Sequence, residues 1–245
     1  MLPSASRPSS KWATRPSARI RHPLKRVVAI ILFVLLADQA LKVWVKLTFT
    51  IGQHVPEDPN GWYYLHFIEN EGMAFGMKLG GEYGKLALTW LRIIAVVAIG
   101  FALRRMVAHH ASRLQVVSVA LVLAGALGNI IDSTFYGMLF SASTPYEVAK
   151  LLPAEGGYAG LFHGAVVDMF HFPVWRGSLP AWMPWVGGDY FEFFQPVFNI
   201  ADASITVGIA LFIIAQRRIK HVRAIEPEPQ GAGPEVTVAE PGEQG

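Results

Sequence analysis

The sequence predicts an α-helical membrane protein with four transmembrane helices and a small extracytoplasmic β-sheet. Of its 245 residues, 52% are hydrophobic, the mean hydropathy is +0.35, and only 16% are charged. Soluble globular domains usually carry about 25% charged residues. A bilayer core of about 30 Å takes about 20 helical residues at 1.5 Å each. Four apolar runs approach or reach that length, at residues 27–45, 86–103, 114–131 and 197–215.

The first run follows a basic tail, residues 1–26, which we predict to be disordered. A cleaved secretory signal peptide is the alternative interpretation of this N-terminus. The run is longer than a typical signal core, however, and no small-x-small cleavage site follows it, so we predict a retained first helix. Residues 221–245 are rich in Pro, Gly and Glu, and we predict a second disordered tail there. One membrane domain, residues 27–220, remains between the tails.

Basic residues predict the orientation of the helices. Fourteen of the 21 Lys and Arg residues lie in the N-terminal tail, between the second and third runs, or after the fourth run. By the positive-inside rule these segments, and therefore both termini, are cytoplasmic. The connections 47–85 and 132–196 then face outward.

The two outer connections are aromatic and rich in turn-forming residues. The first contains WYYLHFIEN and GMAFGM, which indicate short strands of a sheet against the membrane. The second contains Trp175, Trp182 and Trp185 among prolines and glycines, a composition suited to the headgroup zone.

Two aspartates near the outer ends of apolar segments are candidates for chemistry. Asp202 lies five residues into the fourth predicted helix, one turn after Asn199, and intramembrane acids are usually functional. Asp168 is expected in a partly buried strand, although an ordinary loop acid is the alternative. If the two carboxyls approached within about 3 Å, they would share one proton and could activate water to hydrolyse an amide. The sequence leaves open whether they meet.

Other polar residues within the predicted helices are expected to have structural roles. Asp38 and Lys42 are four residues apart, so they share a helix face and are predicted to form an ion pair at the outer interface. Asp132 closes the run GALGNIID, whose glycines permit close helix packing. Asn129 is expected to bind a specific partner, because an amide near the end of an apolar helix rarely stays unpaired.

Five motifs in this order resemble those of bacterial lipoprotein signal peptidase, also called signal peptidase II. They are DQALK (38–42), NEGMAFG (70–76), GNIID (128–132), VVDMF (166–170) and FNIAD (198–202). The resemblance implies an inner-membrane aspartic endopeptidase with four helices, a sheet cradle and a short outer helix, acting at the outer face. Such enzymes cut prolipoproteins just before a diacylglyceryl-modified cysteine and need no cofactor. Globomycin-type inhibitors are expected to block the site.

The resemblance also implies roles for individual residues. The catalytic pair maps to Asp168 and Asp202. The supporting or substrate-binding residues would be Asn129 and Asn199 beside the pair, Asn70 and Gly72 in the cradle, Asp38 with Lys42 in a structural or substrate-orienting role, and Asp132.

The chain departs from the family pattern in two places. The pattern GNxxDR would put an arginine after Asp132, but Ser133 follows it here. Our hypothesis is that Arg92 of the second predicted helix supplies this charge. The stretch 133–164 is also longer than the fold requires, and it is expected either to extend over the cleft or to be a structural insertion.

Three other functions are possible from the residues alone. Buried acids also occur in small transporters and proton channels, but the chain has no internal repeat and its acids cluster at one membrane face. A non-catalytic scaffold would leave these acids without purpose. A metal site formed by His163, His171 and Asp168 lacks a helical spacing and a further ligand. The net charge of +3 lies in the cytoplasmic flanks, which favours contact with lipid over nucleic acid, and the absence of cysteine excludes a thiol nucleophile.

Overall fold

The protein contains four long helices, as the hydropathy predicts. The structure, a computed structural model, describes residues 24–58, 61–71, 81–193 and 196–225. Each long helix has an apolar segment of sufficient length to cross a membrane. The helices are α1 (Leu24–Lys46), α2 (Gly81–Ala108), α3 (Arg113–Ile131) and α5 (Ile200–Ile225). The segment GMAFGM (72–77), which is predicted to form a strand, lies outside the described residues, as do residues 1–23 and 226–245 of the two predicted disordered tails. The rest of these tails, residues 24–26 and 221–225, belongs to α1 and α5.

The third helix is longer than the sequence indicates. It begins at a capping box in which Ser112 and Gln115 bind each other's backbone N–H groups. After Ile131 it continues through a π-helical turn, Asp132–Tyr136, and a short helix α4 (Gly137–Leu139). The α-helix thus ends at Ile131 as predicted, but the helical chain continues beyond it, which the sequence did not indicate. No proline interrupts this stretch, and the ring of Tyr136 is buried in the core, which favours continued helix.

The last helix begins later than predicted. Val197 and Phe198 form strand β6, and α5 starts at Ile200. The apolar run crosses this boundary without a change in hydropathy, which explains the wrong prediction of a helix from residue 197. Asp202 consequently lies in the first turn of α5 and not five residues into the helix.

An antiparallel sheet lies at one end of the helices, and the predicted small sheet is confirmed. Its strand order is β1 (His54–Val55), β2 (Tyr64–Asn70), β3 (Val166–His171), β6 (Val197–Phe198). Strand β3 carries Asp168 opposite Ile68 of β2. Strands β4 (Trp175–Ser178) and β5 (Tyr190–Phe193) form a separate hairpin. A separate short outer helix is not found among the described residues, which omit 72–80.

Glycine permits α3 and α5 to pack at close range. A Cβ atom on Gly125 would stand 2.2 Å from the backbone oxygen of Ala201, and one on Gly128 would stand 2.7 Å from Asp38 Oδ2. Both sites exclude a larger side chain, so the predicted packing role of these glycines is confirmed.

The connection between α4 and β3 folds back onto the helices. Tyr158 Oη accepts a hydrogen bond from the Ala165 N–H at 2.7 Å, and the Tyr158 N–H binds the Phe140 oxygen at 3.0 Å. The ring of Phe162 lies 5.6 Å from that of Trp90 on α2. This segment therefore ties the outer ends of α2 and α3 together, which supports the structural interpretation of residues 133–164.

Candidate active site

The fold brings Asp168 and Asp202 into one hydrogen-bonded cluster. Asp168 on β3 is 2% exposed, and its Oδ1 accepts a hydrogen bond from Asn199 Nδ2 at 2.6 Å. Asp202 Oδ1 accepts one from Asn129 Nδ2 at 2.8 Å. The two amides are joined, because Asn199 Nδ2 also lies 3.2 Å from Asn129 Oδ1. Residues from a strand and two helices thus hold the two carboxyls side by side.

Asn199 performs two structural tasks that together require asparagine. As the N-cap of α5, its Oδ1 accepts the Asp202 N–H at 2.9 Å, while Asp202 Oδ2 accepts the Asn199 N–H at 3.3 Å. This reciprocal pairing satisfies backbone N–H groups that the helix itself cannot. At the same time its Nδ2 donates to Asp168. An ionised aspartate could cap the helix but could not donate to a carboxylate, whereas asparagine accepts through Oδ1 and donates through a separate atom, Nδ2.

A buried lysine beneath the pair fixes the orientation of Asn129. Lys42 Nζ lies 2.9 Å from Asp38 Oδ2, 2.7 Å from Asp132 Oδ2 and 2.9 Å from Asn129 Oδ1. Because the ammonium group can only donate, it holds the amide oxygen of Asn129 toward itself and turns the amide nitrogen toward Asp202. The predicted Asp38–Lys42 pair is confirmed, and both side chains are buried within the protein.

Asp38 and Gln39 connect this network to other elements. Asp38 Oδ1 accepts the Ala201 N–H at 2.9 Å and so helps to cap α5. Gln39 Nε2 donates to Asp132 Oδ1 at 2.8 Å, and its Oε1 accepts from Tyr136 Oη at 3.1 Å. The sequence analysis missed Gln39, although its place between Asp38 and Lys42 could have indicated it.

A second buried pair was also missed. Lys46, one turn beyond Lys42, is fully buried and paired with Glu69 of β2, while Ser143 Oγ binds both partners at 3.0 Å. The spacing of Lys46 from Lys42 is the signal that could have revealed it. This pair attaches the sheet to α1, and therefore holds the strand next to β3 in place.

Burial and a neighbouring charge change the acidity of Asp168. Burial is the larger cause and the negative charge of Asp202 the next, and together they raise the pKa of Asp168 from its ordinary 3.8 to about 7. Hydrogen bonds from Asn70 Nδ2 at 3.3 Å and from Asn199, together with the positive charge of Lys42, oppose the rise. Asp168 can therefore keep a proton near neutral pH.

Arg92 approaches the same cluster from α2. Its Nη1 lies 3.4 Å from Ser133 Oγ. The Ser133 hydroxyl in turn donates to the backbone oxygen of Asn129 at 3.0 Å. The guanidinium charge interacts with Asp202 and, more weakly, with Asp168. A basic group thus reaches the residue that follows Asp132, although it comes from another helix.

Other residues singled out in the sequence lie apart from this cluster or cannot be placed. Gly72 is outside the described residues. His163 Nδ1 lies 2.9 Å from the Leu161 oxygen, and the ring of His171 packs 5.9 Å from those of Tyr64 and His66. Within the ranges that the structure describes, His, Asp and Glu side chains form no group of three or more that could hold a metal ion.

Comparison with known proteins decides the family. Residues 30–218 match the family model described as Signal peptidase (SPase) II. The chain belongs to the signal peptidase II family. It is 45% identical over 195 residues to a lipoprotein signal peptidase of Porphyromonas gingivalis, covering 79% of this chain and 84% of the relative. It is 36% identical over 190 residues to that of Amoebophilus asiaticus, covering 77% and 76%.

A solved structure supports the same assignment. A bacterial membrane enzyme determined by the in meso method superposes with a TM-score of 0.54 and 25% identity. The match covers 84% of this chain and 94% of that enzyme. This chain therefore shares its overall fold with a bacterial membrane enzyme.

Proposed function

We propose that this member of the signal peptidase II family removes signal peptides from prolipoproteins, with Asp168 and Asp202 as its catalytic pair. The observation that carries the proposal is the amide bridge of Asn129 and Asn199, which joins the carboxyls of Asp168 and Asp202 in one cluster. An aspartic peptidase needs one carboxylate to accept a proton and one carboxyl to donate a proton.

The geometry supports a mechanism without a covalent intermediate. The ionised Asp202 removes a proton from a water molecule, whose oxygen forms a bond to the scissile carbonyl carbon. Protonated Asp168 donates to the carbonyl oxygen as negative charge develops there. The C–N bond then breaks, the amine leaves with the proton that Asp202 accepted, and one hydroxyl of the gem-diol returns its proton to Asp168 as the C=O bond of the new carboxyl group forms. The pair titrates as a unit, so both roles depend on a single shared proton.

The amides hold the carboxyls in this mechanism. Asn129 Nδ2 donates to Asp202 and Asn199 Nδ2 donates to Asp168, so both donors are already occupied by the catalytic groups. Fixed hydrogen-bond partners reduce the reorganisation that the reaction would otherwise require.

We further propose that the substrate reaches the site from within the membrane. Asp202 lies in the first turn of a membrane-spanning helix, and Asp168 lies on the sheet at that end of the bundle. A prolipoprotein carrying a diacylglyceryl cysteine is held by its lipid and its apolar signal helix at this depth, and cleavage falls just before that cysteine. Water can reach the pair from the sheet side, and a globomycin-type inhibitor would occupy the same cleft.

The orientation follows from charge. Arg104, Arg105 and Arg113 lie at the end of α2 and the start of α3, at the opposite end of these helices from Asp132. Basic flanks favour the cytoplasmic side, so the site faces outward from the bacterial inner membrane and both termini are cytoplasmic.

Arg92 is proposed to replace the arginine that the family pattern has after Asp132. Its contact with Ser133 and its attraction to Asp202 support this role. Arg92→Leu should then reduce cleavage while Arg92→Lys retains part of it. Unchanged cleavage and stability in Arg92→Leu would end the compensation hypothesis.

The decisive experiment is a cleavage assay. Purified full-length protein in lipid nanodiscs is incubated with a diacylglyceryl-modified prolipoprotein, and wild type is compared with Asp168→Asn and Asp202→Asn. Both variants should lose cleavage, whereas Asp189→Asn, a matched change at an exposed outer residue, should retain it. Full cleavage by either catalytic variant contradicts the assignment, and ion transport without cleavage would favour the transporter alternative.

A further inference from the structure

A β-hairpin is inserted between the two strands that lead to the catalytic pair. Strand β4 follows β3, which carries Asp168, and β5 precedes β6, which leads into α5 and Asp202. At its base the Val174 N–H binds the Phe193 oxygen at 3.1 Å. Only two residues separate the beginning of β6 at Val197 from the start of α5. The hairpin is inserted where His171 of β3 pairs with Val197 of β6, and Phe193 at its base lies seven residues before Ile200, at most about 24 Å of extended chain.

One face of the hairpin is aromatic. In the strand register Trp175 is opposite Phe193 and Gly177 is opposite Phe191, so these four residues share a face. Trp175 is 47% exposed, Phe191 43% and Phe193 56%. The Trp175 ring covers Gly177, where a Cβ atom would stand 3.0 Å from its Cζ2. The register places Ser178 and Tyr190 on the opposite face.

The turn of the hairpin presents two further tryptophans. Trp182 is 80% exposed and Trp185 is 98% exposed. Trp185 also has a φ of +66°, a left-handed conformation that is unfavourable for a bulky side chain. Such a strained, fully exposed ring usually marks a position kept for a function other than folding.

We infer that the hairpin, residues 174–193, docks into the interface of the phospholipid bilayer at the sheet end of the helix bundle. The four apolar helices define the position of the membrane, and the hairpin is inserted between β3 and β6 of the sheet that lies at one end of these helices. Tryptophan is enriched at this depth because its ring is apolar while its N–H group can bind headgroups or water. A face of three rings opposite a face with polar residues suits an element that lies along the interface.

Docking has a consequence for the active site. The hairpin connects the strand of Asp168 to the strand that precedes Asp202, so anchoring it in lipid sets the depth of both carboxyls relative to the headgroups. A substrate held in the same bilayer by its lipid would then meet them at the matching height. This consequence rests on the proposed function, but docking itself depends only on the membrane location.

The absence of cysteine from the sequence makes the inference directly testable. Single-cysteine variants Trp182→Cys, Trp185→Cys and Phe191→Cys of the full chain are labelled with a nitroxide and placed in phosphatidylethanolamine and phosphatidylglycerol nanodiscs. Accessibility to oxygen and to a water-soluble nickel complex then reports depth. We expect the three labels to lie at the boundary of headgroups and acyl chains, and labels at the controls Ser178→Cys and Glu147→Cys to be in water. The inference is overturned if labels at the three test sites are as accessible to the nickel complex as labels at the two control sites.

Other occupants of the aromatic face give different results. Protection that appears only after substrate is added would assign the face to the signal peptide. Protection that requires two protein copies per nanodisc would assign it to self-association. Either result overturns the inference, and because depth is measured without substrate, a failure of the peptidase assignment cannot cause a failure here.

A kinetic measurement tests the consequence separately. The double variant Trp182→Gln, Trp185→Gln should raise KM severalfold for a bilayer-embedded prolipoprotein and leave kcat unchanged, with wild-type thermal stability. An unchanged KM would show that the hairpin does not set the depth of the site.

Discussion

Replacing Asp168 with asparagine should abolish cleavage and, above neutral pH, make the protein more stable. The carboxyl is almost completely buried, and burial together with the charge of Asp202 raises its pKa from 3.8 to about 7. A carboxyl with a raised pKa binds its proton more tightly in the folded state than in the unfolded state. Its favourable contribution is therefore present at low pH and is lost as pH rises from about 4 to about 7.

The magnitude follows from the two pKa values. The gap between 3.8 and about 7 corresponds to about 4 kcal/mol of unfolding free energy, at about 1.36 kcal/mol per pKa unit. Asparagine does not ionise, and its amide can still accept the hydrogen bond from Asn199. At pH 8 the variant should thus be more stable than wild type by up to about 4 kcal/mol, and at pH 4 the difference should nearly vanish. For a chain of this size that corresponds to a rise in Tm of roughly 10 °C.

Thermal unfolding followed by tryptophan fluorescence between pH 4 and pH 9 measures the difference. The matched control is Asp189→Asn, because Asp189 is exposed in the outer region. Its Tm should follow that of wild type at every pH. The reasoning is refuted if Asp168→Asn is less stable than wild type at pH 8, or if the difference between them is the same at pH 4 and pH 8.

Three further predictions follow from the same network. Because Asp168 must keep its proton, kcat/KM for prolipoprotein should fall about tenfold per pH unit above a pKa of about 7; a profile that is flat to pH 9 would contradict this. Lys42→Met leaves two buried carboxylates without their partner and should lower the free energy of unfolding by about 3–5 kcal/mol. The double variant Lys42→Met, Asp132→Asn should recover part of this loss. If the losses of the two single variants simply add in the double variant, the charges do not interact. Gly125→Val should prevent folding, because its Cβ would stand 2.2 Å from the Ala201 oxygen; a monodisperse, active variant would disprove the close packing.

Local sequence patterns were sufficient to predict the helices and the candidate pair. The four helices follow from runs of apolar residues, which is a property of composition within about 20 residues. Asp168 and Asp202 could be selected because each is an acid among apolar neighbours, a placement that is unfavourable without a purpose. The strands β2 and β3 follow from aromatic and β-branched residues.

The ends of the helices could not be predicted in the same way. The start of α5 depends on Asn199, whose side chain caps the helix only because the strand before it pairs with β3. The continuation of α3 past Ile131 depends on the burial of Tyr136 in a core that distant segments complete. The polar residues 132–134 end the apolar run although the helical chain continues, and before α5 the apolar run begins while the chain is still a strand. Hydropathy therefore does not mark either boundary.

The burial of Lys42 could not be predicted from the sequence either. Two of its partners, Asn129 and Asp132, are about 90 residues away along the chain, and only their meeting makes a buried ammonium group tolerable. The same holds for Lys46 and Glu69, which come from α1 and β2. Ion pairs between distant elements depend on tertiary packing, and a single sequence does not specify it.

The claim that Asp168 and Asp202 share one proton can be tested directly by titrating their carboxyl groups. The full chain is labelled with ¹³C at the aspartate carboxyl carbon, placed in nanodiscs, and followed by NMR from pH 3 to pH 9. The account predicts one carboxyl that titrates with a pKa of about 7, that is absent in Asp168→Asn, and whose pKa is lower in Asp202→Asn. If every aspartate is ionised by pH 5, or if the titration near pH 7 survives in Asp168→Asn, the paired-acid account is wrong.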